Sequence, residues 1–193
     1  MAVTLYQLSE TIKKSVPKGS WQELINEVRK AYAFVVKAIW FENKKVDVGE
    51  LDGAFVITFK NQTPVLDAVE GRYYIDLQST YIQLPQESGI VSVCYMTEPN
   101  VNFVLTNAGT VGRLSRIKAG VMGGRELYYV DNKKMYFPRM RASKDVMLRL
   151  GLALDNYDVD EPLNIPTNVQ EQITQMVIAK YVPQVAPINE KIK

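Results

Sequence analysis

The sequence predicts an α+β fold, with N-terminal helices, a central antiparallel β-sheet arranged as a small sandwich or barrel, and a C-terminal helix. Apolar residues recur every three or four positions near both ends of the chain, whereas residues 54–105 alternate with a period near two. Candidate strands follow one another without an intervening helix, which favours antiparallel pairing. We interpret the 193 residues as a single domain with a helical part (1–45), a β core (46–141) and a C-terminal helical part with a tail (142–193).

Two helices are predicted at the N-terminus. Apolar residues at 5, 8, 12 and 16 predict a short helix that ends at the Pro17-Lys18-Gly19 sequence. Ser20 and Glu23 have the spacing of a capping box, and the apolar stripe that follows predicts a second helix reaching about Asn43.

The second helix becomes apolar on more than one side after Tyr32. Phe34, Trp40 and Phe41 add to the stripe there, as expected for a helix half that is covered from several directions. Two interpretations remain open at this stage. These residues are core residues, or some of them form a contact between copies of the chain.

Five runs rich in β-branched and aromatic residues are candidate strands, and residues 72–93 are the expected centre of the sheet. The runs are 54–60, 73–77, 81–84, 90–96 and 101–105. Residues 127–130 and 133–137, joined by Asp131-Asn132, predict a hairpin.

A long loop is expected at residues 107–125, which contain five of the eleven glycines. A connection of this length is typical of a functional loop or of one that orders against a partner. The pattern also permits a short helix over residues 111–118.

The C-terminal part is predicted to be helical. Residues 143–150 read as one or two helical turns, with Ser143 as the cap and Gly151 as the stop. Residues 155–166 form an acidic, proline-containing linker. Thr167, with Gln170 three residues later, begins the last helix, which ends at Pro183. We expect the tail, residues 184–193, to be mobile in the isolated chain and to be a candidate for docking elsewhere.

Catalytic chemistry has little basis in this sequence. Histidine is absent, so the usual general base and commonest metal ligand are missing, and Cys94 in its apolar run is expected to be a small buried hydrophobe. Glycines do not form a P-loop, and Asp155, Asp158 and Asp160 lack EF-hand spacing. We predict no enzyme activity, no cofactor and no metal. The absence of a secretory signal or a bilayer-length apolar run predicts synthesis in the cytosol and no membrane partner.

Charge is unevenly distributed. Residues 113–149 contain ten Lys or Arg against three Asp or Glu, whereas residues 150–171 contain five acids and no base. Such segments can be a nucleic-acid surface, two complementary faces that let identical subunits associate head to tail, or solvated faces without a partner. The candidate nucleic-acid or subunit contacts are Arg113, Arg116, Lys118 and Arg125. The candidate inter-subunit acidic face consists of Asp155, Asp158, Asp160 and Glu161.

Three segments resemble a known family of proteins. They are GRYYIDLQSTYIQLPQESGIVSV (71–93), LYYVDNKKMYF (127–137) and IPTNVQEQITQMVIAKYVPQ (165–184), which together cover somewhat over a quarter of the chain. Their shared features are a Tyr-Ile-Asp-Leu strand, a Leu-Pro turn, a Gly-Ile-Val strand and a final helix that begins after Ile-Pro. In these features the chain is similar to virion structural proteins of tailed bacteriophages, especially crAss-like phages.

The resemblance implies a head-tail connector or neck protein. Such a protein forms a homo-oligomeric ring, expected to be dodecameric, that contacts the portal protein and the adjacent ring or tail protein in the virion and is present in the host cytoplasm during assembly. Genomic DNA passes through a connector, so the basic residues would make at most non-specific phosphate contacts. The alternative function is a binding module, for nucleic acid through residues 113–149 or for a host glycan through exposed tyrosines.

Overall fold

The fold is α+β, as predicted. The computed structural model describes residues 2–45, 51–77, 81–114, 125–155 and 157–181, of which 44, 45, 86 and 112–114 are described by their backbone alone. The chain divides into two compact units, one made of Met1–Gly49 and Leu154–Lys193 and the other of Glu50–Ala153. We call them the helical unit and the β unit.

Three helices form the helical unit: α1 (Leu5–Ser15), α2 (Trp21–Lys45) and α4 (Thr167–Tyr181). The predicted capping box of α2 is confirmed. The backbone N–H of Ser20 donates to Glu23 Oε2 over 3.0 Å, and that of Glu23 donates to Ser20 Oγ over 3.3 Å. Hydrogen bonds from the backbone N–H and the side chain of Ser20 lower the pKa of the Glu23 carboxyl, because both favour its charged form.

Short connections hold these helices together. Lys13 in the last turn of α1 donates to the carbonyls of Pro17 and Gly19 in the turn that leads to α2. The segment before α4 is attached to the N-terminal segment. Val3 and Leu163 exchange backbone hydrogen bonds of 2.9 and 2.8 Å. At the start of α4, the Gln170 side chain donates to the Ile165 carbonyl and does not complete the predicted box with Thr167.

Helix α4 packs on both N-terminal helices. Its positions 169, 173 and 177 are buried, at the spacing of one helix face. The α1 and α2 side chains that are fully or almost fully buried include Leu5, Leu8, Ile12, Leu24, Val28, Tyr32, Val36 and Trp40. The predicted periodicity of both terminal regions is therefore confirmed.

The β unit contains two sheets. The first has the strand order β1-β8-β4, with β1 at Val56–Gln62, β8 at Val146–Gly151 and β4 at Ile90–Tyr95. The second has the order β2-β3-β7-β6-β5, with β2 at Val65–Asp67, β3 at Arg72–Asp76, β7 at Lys134–Phe137, β6 at Leu127–Asp131 and β5 at Val104–Leu105. All pairs are antiparallel except β5 with β6.

One hydrophobic cluster draws residues from both sheets. Val93, Leu148 and Leu150 come from the three-stranded sheet, and Ile75 and Phe137 from the five-stranded sheet. Cys94 is fully buried, as predicted, and burial raises the pKa of its thiol.

The predicted hairpin is confirmed, with a change in its turn. Asn132 has φ 47° and Lys133 has φ 63°, so these two residues form the loop between β6 and β7. Two consecutive left-handed residues give the twist that a two-residue hairpin needs. The prediction had centred the turn one residue earlier, on Asp131-Asn132.

The helical prediction for residues 143–150 is wrong. Val146, Leu148 and Leu150 are buried in β8, while Arg149 between them is exposed, so the pattern has period two. Gly151 is the last residue of this strand and does not terminate a helix.

Smaller differences concern three other elements. Of residues 81–84, only Tyr81 pairs, in an isolated bridge with Leu152. Strand β2 has no counterpart among the predicted strands. A short helix, α3 (Ala108–Leu114), begins three residues before the segment considered for it, and residues 115–124 lie outside the described residues. The tail at 184–193 also lies outside them.

Candidate functional site

Three large exposed apolar side chains of the helical unit lie on α2 and α4. Phe34 is 62% exposed, Phe41 is 49% exposed and Met176 is 39% exposed. Phe34, Met176 and the exposed Ala38 line one groove. We call the surface formed by Phe34, Ala38, Phe41, Gln172, Gln175 and Met176 the α2–α4 face.

Helix geometry explains why α2 carries apolar residues on two sides. Phe34, Ala38 and Phe41 recur at spacings of four and three, so they share one side of the helix. Tyr32, Val36 and Trp40 are buried on another side. Of the residues that left the sequence interpretation open, Trp40 belongs to the core, whereas Phe34 and Phe41 are exposed.

The groove between α2 and α4 has a volume of about 460 Å³. It is lined by Phe34, Val35, Ala38, Ile39, Glu42, Asn43, Gln172, Gln175 and Met176. The floor is apolar, and three of its polar lining residues carry neutral amides, each of which can donate and accept hydrogen bonds. This composition suits a partner that brings both apolar side chains and backbone polar groups.

The exposed side of α4 carries little charge. Asn168, Gln172, Gln175 and Ala179 are exposed along with Met176. Glu171 is the acidic residue of this helix. Its basic residue, Lys180, is engaged, because its ammonium lies 2.6 Å from Glu27 Oε2. The hydrogen bond from Lys180 lowers the pKa of Glu27.

A second groove runs along the opposite flank of α4, towards α1. It has a volume of about 330 Å³ and is more polar, with Gln7, Thr11, Gln170, Glu171 and Thr174 among its lining residues. The two grooves share Gln175. The apolar groove is thus specific to the α2 flank of α4.

The β unit has an uncovered apolar edge of its own at β2. This strand is the end strand of its sheet, and its Val65 and Leu66 side chains are both exposed. Val69, in the turn that follows, is 93% exposed. Edge strands are usually protected by a charge, a proline or a bulge, and Val65–Asp67 has only Asp67, whose carboxylate accepts hydrogen bonds from Val69 and Glu70 in that turn.

An aromatic row crosses one side of the five-stranded sheet. The ring centroids of Tyr129 and Tyr136 are 5.1 Å apart, and those of Tyr136 and Tyr74 are 5.8 Å apart. Arg72 Nη1 donates to Tyr129 Oη over 2.7 Å, and Lys134 Nζ lies 4.2 Å from the Tyr74 ring centroid. The side chains of Arg72 and Lys134 already contact the tyrosines of this row. We therefore interpret the row as a structural feature of the sheet.

These contacts bear on the glycan alternative, which depended on exposed tyrosines. Tyr6, which stacks on Trp21 with ring centroids 5.0 Å apart, is the one tyrosine of the chain that is classed as exposed. The glycan alternative stays a prediction.

The predicted basic site lies only partly within the described residues. Arg125 is exposed just before β6. The backbone of Arg113 lies in α3, whereas its side chain, Arg116 and Lys118 fall outside the described residues. The role of these four residues as DNA-channel or subunit contacts stays a prediction.

The predicted acidic residues all lie in the helical unit and are all exposed: Asp155, Asp158, Asp160 and Glu161. Their segment is folded. Asp158 Oδ1 accepts from the Asp160 N–H over 3.1 Å, and Arg29 donates to the Tyr157 carbonyl over 2.9 Å. In the described part of the chain, no group of three or more acidic or sulfur ligands is arranged to hold a metal ion.

Sequence reasoning missed the contribution of α4 to the α2–α4 face. The signal was present, because from Asn168 to Ala179 the polar positions carry amides and hydroxyls, with Glu171 as the single charge. Solvated helices usually carry more charge.

No protein-family model matches this sequence, and no curated protein matches it. Among the described helices, none combines the length and apolar content needed to cross a bilayer.

Proposed function

We propose that the chain is a structural subunit that assembles with copies of itself into a ring of a tailed-phage head-tail connector. The ring would join the portal to the next ring or tail protein and surround the DNA channel. The observation that carries the proposal is the α2–α4 face, because exposed aromatic and other apolar side chains that group on one surface are typical of a protein interface.

Closed rings need two different surfaces on each subunit, since each copy contacts its two neighbours through unlike patches. The α2–α4 face and the exposed β2 edge are unlike in chemistry. One is a helix surface with amides and aromatic rings, and the other is a strand edge with aliphatic side chains. Two unlike surfaces on one subunit are what head-to-tail assembly requires.

Charge supports the same proposal in a smaller way. Asp155, Asp158, Asp160 and Glu161 form an exposed acidic stretch, and the basic segment 113–149 offers a surface of opposite sign for a neighbouring copy. A channel that lets DNA pass requires modest rather than strong attraction to phosphate, which agrees with a net charge of +2.

Cryo-electron microscopy of virions that contain this protein tests the proposal directly. We expect density for the chain in a symmetric ring between the portal and the tail, with the α2–α4 face covered by a neighbour. Density for the chain outside any symmetric ring would contradict the connector proposal. A ring in which the face points to solvent would contradict the role given to that face.

A further inference from the structure

We propose that the α2–α4 face binds the C-terminal segment 182–193 of a neighbouring copy. This inference rests on the proposed ring and names the partner of the same surface. The segment follows directly on Tyr181, the last residue of α4, and has the sequence VPQVAPINEKIK.

The chemistry of the segment matches the groove. Val182, Val185, Ile188 and Ile192 supply aliphatic side chains, while Pro183 and Pro187 disfavour continuation of the helix. A non-helical segment carries backbone N–H and C=O groups that need partners when they are buried. Asn43, Gln172 and Gln175 in the groove wall can supply both donors and acceptors.

The direction of α4 favours a neighbour's groove over its own. Lys180 contacts Glu27 near the N-terminal half of α2, whereas the groove is lined by α2 residues 34–43. Helix α4 therefore runs antiparallel to α2, and its last residue, Tyr181, lies beyond the groove with the helix pointing away from it. A chain that continues in this direction leaves its own groove behind.

Reach is sufficient for such an exchange. The segment is long enough to extend beyond its own subunit, because twelve residues span at most about 40 Å when they are extended. Each copy would give one segment and receive one. Contacts of this kind are heterologous and close into a ring when the rotation between subunits permits it.

Disulfide trapping between full-length chains tests the inference. One variant carries Ala38→Cys in the groove, and a second carries Ile188→Cys in the segment. An equimolar mixture is mildly oxidised and analysed by denaturing electrophoresis without reductant. Cys94 does not compete, because it is fully buried and burial raises the pKa of its thiol. The matched control pairs Ile188→Cys with Thr11→Cys, which lies in the polar groove on the other flank of α4.

We expect a product of twice the chain mass in the Ala38→Cys mixture and background levels in the Thr11→Cys mixture. Equal yields in the two mixtures, or no product in either, would overturn the inference. A chain that carries both Ala38→Cys and Ile188→Cys adds a further check. If it forms only an intrachain bond, the segment serves its own groove and the proposal of exchange is wrong.

Light scattering on the same samples before oxidation distinguishes failure of this inference from failure of the proposed function. A large assembly without the trapped product contradicts the exchange of segments but does not contradict the proposed ring. A monomer without the product counts against both.

Discussion

Gly89 lies where three backbone segments meet. Its carbonyl accepts from the Gly151 N–H over 2.7 Å, and the Gly151 carbonyl accepts from the Ile82 N–H over 2.8 Å. A Cβ atom at position 89 would stand 1.9 Å from the Ile82 carbonyl oxygen. Backbone cannot move aside as a flexible side chain can. Position 89 therefore has no room for a side chain and requires glycine.

The first prediction follows at the residue scale. Gly89→Ala should lower the free energy of unfolding by roughly 3 kcal/mol or more, because the methyl group must displace backbone in the sheet. Gly53→Ala is the matched control, since a Cβ there meets no atom within 4 Å. We expect the control to change stability by about 0.5 kcal/mol or less. Urea unfolding measures both, and similar losses in the two variants would contradict the close approach.

Individual residues also show where sequence reasoning succeeds and where it fails. The capping box of Ser20 and Glu23 was predictable, because both partners lie within one helical turn. The row formed by Tyr74, Tyr136 and Tyr129 was not predictable, because it depends on the register that brings strands β3, β7 and β6 together. Local bonds follow from spacing, whereas contacts across strands require the topology.

At the scale of elements, β8 gives the clearest case of a misleading pattern. Its sequence VMLRLG contains good helix formers, and Ser143 resembles a cap. In the fold, β8 lies between β1 and β4, and burial of Val146, Leu148 and Leu150 in the shared core outweighs local propensity. Strand β2 was missed for a different reason. Its three residues are too few to show a periodic pattern.

The second prediction concerns the α2–α4 face. Phe34→Ala should weaken self-association about tenfold, because an exposed aromatic side chain at the centre of an interface is a common source of binding energy. Tyr6→Ala is the control, as it removes another exposed aromatic residue of the helical unit that does not line the groove. Dilution series followed by light scattering measure the effect. Equal weakening by the two substitutions would remove the special role of this face.

At the scale of the whole molecule, the order of the two units was the feature least accessible from sequence. The chain leaves the helical unit after Gly49 and returns to it at Leu154, so the β unit is an insertion between α2 and the C-terminal helix. Sequence reasoning divided the chain into three consecutive parts instead. The pairing of Val3 with Leu163 joins positions far apart in sequence, which no local pattern can indicate. The interpretation as a single domain stays a prediction.

The last prediction concerns the response of the whole molecule to alkaline pH. Burial raises the pKa of Tyr32, Tyr81 and Tyr95, and raises that of Tyr128 to about 12, where Glu87 adds to the effect. In the unfolded chain a tyrosine ionises near pH 10. The folded state therefore binds more protons above that pH, and its stability must fall as the pH rises.

The sign and the range follow from these values. The stabilisation from Tyr128 is fully present below pH 10 and is lost as the pH rises through about 12. Two pKa units correspond to about 3 kcal/mol. Tyr128→Phe should therefore make the decline in unfolding free energy between pH 9 and 12 less steep. Urea unfolding at several pH values measures the slope, with tyrosinate absorbance as a second signal. Tyr6→Phe, which removes an exposed phenol, is the matched control. An unchanged slope in Tyr128→Phe would mean that the phenol is hydrated in the folded state, because only exclusion from water makes its ionisation costly.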